Sequence, residues 1–218
     1  MMGHKVKRRE NLKNELKAID YLNQTSGNRW FLFVLLIPYG ILITKGNMIK
    51  KYILKFESQI SHPALSLYDS WINTWCTLLI GGLLGAAFYW FIGFKYFRSR
   101  LQWCGVKDPN KDLVRIVSIK SSLIYSLPGL VILYYETFAF DNFIAAINYP
   151  GIGWELLILQ LMWWSSHNQW VGVKKSFNLS GFKPFFWFYL FPMGIQFIYI
   201  HQKFYLRTIK DILLRFSL

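Results

Sequence analysis

The stretch WINTWCTLLIGGLLGAAFYWFIGF, residues 71–94, contains no charged side chain. A helix of about 20 predominantly apolar residues is long enough to cross the hydrocarbon core of a bilayer. The stretch meets this length, so we predict that it forms a transmembrane helix.

Four further apolar runs lie on either side of this stretch, near residues 30–44, 117–135, 152–166 and 184–200. The first is short for a span, and the run at 152–166 contains Glu155 and Gln160. We predict an all-α, polytopic integral membrane helix bundle over residues 30–201. It has five transmembrane helices, or four if the run at 152–166 does not cross.

The composition agrees with a membrane protein. Of the 218 residues 54% are hydrophobic and only 17% are charged, against roughly 25% charged in an ordinary soluble domain. These values exclude intrinsic disorder and argue against a water-soluble enzyme. We expect a multi-pass protein of a bacterial cytoplasmic (inner) membrane.

The distribution of positive charge predicts the topology. Seven Lys and Arg residues lie in residues 1–29 and seven in residues 95–120, whereas residues 136–151 contain none. Because cytoplasmic loops are enriched in Lys and Arg, we expect the N-terminus and residues 95–120 to be cytoplasmic. Residues 136–151 are then external in both the five-span and the four-span topology.

Three segments have the apolar spacing of amphipathic helices: residues 1–29, residues 48–60 and the C-terminal residues 202–218. Each combines an apolar stripe with Lys or Arg, which is typical of interfacial helices. We expect anionic lipid or a protein partner, rather than nucleic acid, to contact the basic residues Lys5, Arg8, Arg9, Arg98, Arg100 and Lys107.

Small residues mark a helix-packing surface within residues 71–94. Gly81 and Gly85 form a GxxxG step, and Gly82 with Ala86 repeats it one residue later. Without a Cβ atom two helices approach closely and gain dispersion contacts. The pattern predicts either packing within the monomer or self-association.

Candidate chemical residues are few. The two cysteines, Cys76 and Cys104, form no CxxC pair, and the four histidines are scattered, so we expect no catalytic centre, metal site or cofactor. Glu155 and His167 are the polar residues near apolar runs that an enzyme would use.

Residues 81–129 carry a family resemblance. They contain the small-residue span, then a basic loop with Gly105, and then Tyr125-Ser126-Leu127-Pro128 at the start of the next span. This order resembles the Yip family of Ypt/Rab-interacting membrane proteins, which includes shorter bacterial members. The resemblance implies five spans, a cytoplasmic N-terminus and a non-enzymatic role in membrane organisation.

Three functions follow as hypotheses. The first is a scaffold or adaptor that organises partner membrane proteins and contacts anionic lipid through its basic segments. The second is a small transporter or channel subunit that forms a homo-oligomer. The third is a membrane enzyme that acts on lipid through Glu155 or His167.

Overall fold

The computed structural model describes residues 29–56, 65–149 and 152–201, together with Tyr205 and Thr208. Every regular element in these ranges is a helix, and none is a β-strand. The all-α prediction is confirmed for this part of the chain. The predicted amphipathic segments at the two termini, with Lys5, Arg8 and Arg9, lie almost wholly outside the described residues.

Ten α-helices and three π-helical turns follow one another in the described ranges. The first half of the chain forms α1 (Arg29–Val34), α2 (Ile37–Lys51), π1 (Tyr52–Phe56), α3 (Ser66–Asp69), α4 (Trp71–Phe88), π2 (Tyr89–Gly93) and α5 (Phe94–Trp103). The second half forms α6 (Lys111–Ala139), α7 (Phe143–Asn148), α8 (Ile152–Phe177), α9 (Phe182–Phe185), π3 (Phe186–Leu190) and α10 (Phe191–Ile200).

Three of these helical stretches are long and apolar enough to cross a membrane: Trp30–Leu54, Trp71–Trp103 and Lys111–Ala139. They contain the predicted spans at 30–44, 71–94 and 117–135, which supports a membrane protein. Each helix extends beyond its apolar run and includes charged residues near its ends.

The connection between the first two predicted spans is shorter than predicted, because the first long helix continues past Lys45. Lys45 Nζ lies 2.5 Å from a carboxylate oxygen of Glu136 on α6, and both side chains are about four-fifths buried (19% and 18% exposed). This ion pair keeps Lys45 inside the bundle. Residues 48–56 therefore extend the first long helix, which differs from the separate interfacial helix predicted for 48–60.

The basic segment 95–120 is also mostly helical. Gly105, with φ of +100°, follows the end of α5, and only residues 104–110 form a connection. The Asn110 side chain then caps α6 by accepting hydrogen bonds from the backbone N–H groups of Asp112 and Leu113. The two helices are thus held close together at this end.

Helices α2 and α4 approach so closely that their backbones touch. A Cβ atom on Gly40 would lie 2.1 Å from the carbonyl oxygen of Gly82, and one on Gly85 would lie 3.0 Å from Gly40 Cα. A Cβ on Gly81 would meet the Thr44 side chain, and Ala86 is fully buried. The Gly81–Gly85 surface therefore packs within the chain.

Aromatic side chains join the helices at the end opposite residues 104–110. Trp71 Nε1 donates to the carbonyl of Phe140 at 2.7 Å, and Trp75 Nε1 donates to Thr137 Oγ1 at 3.1 Å. The Tyr68 hydroxyl is 3.4 Å from the carbonyl of Met48, and burial raises its pKa. These bonds fix α4 against α6 and α3 against α2.

Replacing Gly40 by Ala tests the close approach of α2 and α4. We expect the added methyl to separate the two backbones and to lower the free energy of unfolding by about 1–3 kcal/mol. Thermal unfolding of the purified protein in detergent measures the change. Gly194→Ala is the matched control, because nothing lies within 4 Å of a Cβ there, and it should be neutral or slightly stabilising. Equal stability of both variants would contradict the packing.

Candidate functional site

A cavity of about 300 Å³ lies inside the bundle between α2, the continuous α4–π2–α5 helix, α6, α8 and α10. Such a volume is at the lower end of the range for small-molecule sites. Its exposed wall is mostly apolar in area, but twelve of the lining residues carry a polar or charged group: Tyr39, Tyr89, Tyr96, Arg100, Ser118, Ser121, Ser122, Tyr125, Ser165, Ser166, Gln169 and Gln196. Leu42, Ile43, Met162, Phe191, Pro192 and Ile195 supply apolar walls.

The cavity reaches the surface between α5 and α10. Tyr96 and Ile195 line it, and both are also exposed. The serines of α6 that line it belong to the first half of that helix, which is the half nearer residues 104–110. The cavity therefore lies toward the Arg100 end of the bundle.

Serines on α6 and α8 form one polar wall. Ser121 Oγ donates to the carbonyl of Ser118 at 2.8 Å, and Ser122 Oγ donates to that of Ile119 at 2.9 Å. Ser165 Oγ crosses from α8 to donate to the carbonyl of Ser121 at 2.6 Å. Because their hydrogens are used on the backbone, these hydroxyls present acceptor lone pairs to the cavity.

Tyrosines form a second wall. The Tyr89 hydroxyl and Ser118 Oγ are 2.6 Å apart, which joins π2 to α6. The Tyr39 ring packs edge-on against Tyr89 and Tyr125, with centroid distances of 4.8 and 6.0 Å. On the other side Ser166 Oγ lies 3.0 Å from Gln196 Oε1, which ties α8 to α10.

Arg100 holds the charge of the site. Its side chain is only 7% exposed, and Nη1 donates to the carbonyl of Trp187 at 2.9 Å. The guanidinium carbon lies 4.8–5.1 Å from the ring centroids of Tyr96, Phe97 and Phe188. Cation–π attraction of this kind stabilises a desolvated cation. Arg100 thus faces the bundle, and its predicted contact with headgroups or a partner stays a prediction.

The sequence around π3 explains why the backbone carbonyl of Trp187 needs a hydrogen-bond donor from a side chain. The Phe191 N–H donates to the carbonyl of Phe186, five residues earlier. In the same register the carbonyl of Trp187 would face residue 192, which is a proline and has no N–H. Arg100 supplies the missing donor. Pro192 is therefore the sequence feature that leaves the Trp187 carbonyl available to the buried guanidinium.

Two further predicted basic contacts, Arg98 and Lys107, lie in the described residues. Arg98 forms an ion pair with the exposed Asp108, and Lys107 is exposed in the connection between α5 and α6. Neither lines the cavity.

Of the two predicted polar candidates, only His167 has its side chain in the described residues. His167 on α8 is exposed, and its ring lies 5.7 Å from Trp170 and 6.0 Å from Tyr189, measured between centroids. It does not line the cavity. Glu155 lies within α8, and its side chain lies outside the described residues.

The spacing of serines in the sequence could have predicted the serine wall of α6. Ser118, Ser121, Ser122 and Ser126 recur at steps of three, one and four residues, which places them on one face of a helix. A polar stripe on an otherwise apolar span indicates a face turned away from lipid.

Comparisons with known proteins do not extend this description. No family model matches the chain, and neither a curated protein nor a solved structure matches it. The resemblance of residues 81–129 to the Yip family therefore stays a prediction.

The pKa of the Cys104 thiol is sensitive to the charge of Arg100. Burial raises the pKa of the Cys104 thiol, while the positive charges of Arg100 and Lys183 lower it in part. We expect Arg100→Gln, in a Cys76→Ser background, to raise this pKa further. Less thiolate then forms at pH 8, and alkylation of Cys104 slows by roughly twofold or more. The pH dependence of the iodoacetamide reaction rate measures the shift.

Arg98→Gln is the control for this measurement, because Arg98 is not among the groups that shift the Cys104 pKa. An unchanged rate profile in the Arg100 variant would show that the guanidinium does not lie beside the thiol.

Proposed function

We propose that this chain is a small transporter or channel subunit that holds a polar solute in the cavity at the Arg100 end of its bundle. The observation that carries the proposal is the gathering of twelve polar side chains around one space inside a membrane-type bundle. Polar groups at membrane depth are costly unless they pair, face water or bind a solute. A cavity with this lining is what a permeating solute requires.

Five crossings fit this proposal. Helix α8 has 26 residues and is about 39 Å long, and residues 182–200 form a further continuous helical stretch. Helix α8 contributes Ser165, Ser166 and Gln169 to the cavity, and residues 182–200 contribute Gln196. We propose that they cross as spans four and five, with polar faces turned inward.

The charge distribution supports an orientation. The cavity lies near residues 95–120, which contain seven Lys and Arg, and away from residues 136–151, which contain none. We propose that the cavity opens toward the cytoplasm, with the N-terminus on the same side. A bacterial cytoplasmic membrane is the proposed location.

The other two hypotheses receive less support. The adaptor hypothesis relied on the Gly81–Gly85 surface, which packs against α2, and on residues 1–29, which lie outside the described residues. Contact with anionic lipid and with a protein partner or a second copy stays a prediction. The enzyme hypothesis relied on Glu155 or His167; the Glu155 side chain lies outside the described residues, and His167 is not part of the cavity lining.

Cysteine accessibility tests the proposal. In a protein without Cys76 and Cys104, Ser122→Cys places a thiol in the cavity wall, and Leu84→Cys places one on the exposed apolar face of α4. Only a thiol in contact with water forms the reactive thiolate. We expect the negatively charged reagent sulfonatoethyl methanethiosulfonate to label Ser122→Cys about tenfold faster or more.

The same reagent tests the orientation in sealed vesicles, where labelling of Ser122→Cys should require access from the cytoplasmic side. Equal labelling rates for Ser122→Cys and Leu84→Cys would rule out an open aqueous cavity and, with it, the proposed function.

A further inference from the structure

Arg100 has hydrogen-bonding capacity that the protein does not use. Its Nη1 is engaged by the carbonyl of Trp187, but Nε is buried without a hydrogen-bond partner among the described residues. Nε is closed off from the cavity, whereas Nη2 has no hydrogen-bond partner among the described residues and can donate a charge-assisted hydrogen bond to a carboxylate or phosphate. Arg100 also lines the cavity, so a ligand there is within its reach.

None of the described carboxylates faces this charge. Glu136 pairs with Lys45, and Asp108 and Asp112 pair with Arg98 and Arg115. Asp69 and Asp141 are exposed, and neither lines the cavity. A buried cation without a counter-ion is unfavourable, so an anion from outside the described chain would gain the full attraction of Arg100.

The serine wall defines the rest of the ligand. Ser121, Ser122 and Ser165 use their hydrogens on backbone carbonyls and offer acceptor lone pairs. A ligand that fits this wall must itself donate hydrogen bonds through hydroxyl or amino groups. The cavity volume of about 300 Å³ restricts it to a small molecule.

We infer that the solute is a small acid, carboxylate or phosphate, that also carries hydrogen-bond donors. Its oxyanion accepts a charge-assisted hydrogen bond from Nη2 of Arg100, and its hydroxyl or amino groups donate to the serine wall. This inference rests on the proposed function, because it names the class of solute for the same cavity.

Four matched probes separate the parts of this inference on the unmodified protein. Glycerate has the acid and the donors, glycerol has only the donors, and propionate has only the acid. Glycerol 3-phosphate exchanges the carboxylate for a phosphate. Ligand-dependent shifts of thermal unfolding in detergent give the apparent affinity of each probe.

We expect glycerate, glycerol 3-phosphate or both to bind about tenfold or more tightly than glycerol and propionate, because a charge-assisted pair and the donors each contribute. Whichever of the two acids binds more tightly shows whether the natural group is a carboxylate or a phosphate. Arg100→Gln should abolish the preference over glycerol, and Arg100→Lys should retain part of it. Arg98→Gln should leave all affinities unchanged.

The inference is overturned if glycerol binds as tightly as both acids, if Arg100→Gln retains the preference, or if no probe binds. The probe comparison needs no variant, so it remains decisive even if Arg100→Gln fails to fold. Failure of all probes with a water-accessible Ser122→Cys would overturn only the solute class. An inaccessible Ser122→Cys would overturn the proposed function itself.

Discussion

The hydrogen bond from Arg100 to the carbonyl of Trp187 joins α5 to π3 and, together with the packing of α6 against α8 and the hydrogen bond from Ser165 to Ser121, connects the two parts of this molecule. One part is the closely packed unit of α2, α4 and α6, and the other is the α8–α10 unit that closes the cavity. Pro192 leaves the carbonyl without an N–H partner, and α5 brings the guanidinium to it. The bond is surrounded by Phe97, Phe188 and Tyr96, so it lies in a medium where both groups would be costly to leave unpaired.

Packing at the two ends of the bundle has different chemistry. At the Glu136 end, the pair between Lys45 and Glu136 and the indole hydrogen bonds of Trp71 and Trp75 satisfy polar groups within the protein. At the Arg100 end, charge and acceptor groups face a cavity instead. One end is thus a closed structural junction, and the other contains the cavity in which we propose that a solute binds.

The sequence predicted the helices and their rough positions because apolar runs depend mainly on transfer to lipid, which is a local property. The run at 71–94 is the clearest example. The true helix ends were not predictable from the apolar runs, since Lys45 and Arg100 are charged residues that lie within helices and contact groups far away in the chain. Arg100 was assigned to the surface for the same reason: its partner, the Trp187 carbonyl, is 87 positions away. The contact between Gly40 and Gly82 could be anticipated only in part, because GxxxG indicates close packing but not the partner helix.

A structure of the protein in lipid nanodiscs by cryo-electron microscopy tests the central claim most directly. The account predicts five membrane crossings and a polar cavity between Ser122 and Arg100 that contains water or a bound small molecule. It would be contradicted by side chains that fill this space, or by an Arg100 guanidinium that leaves the carbonyl of Trp187 and extends into the lipid headgroups.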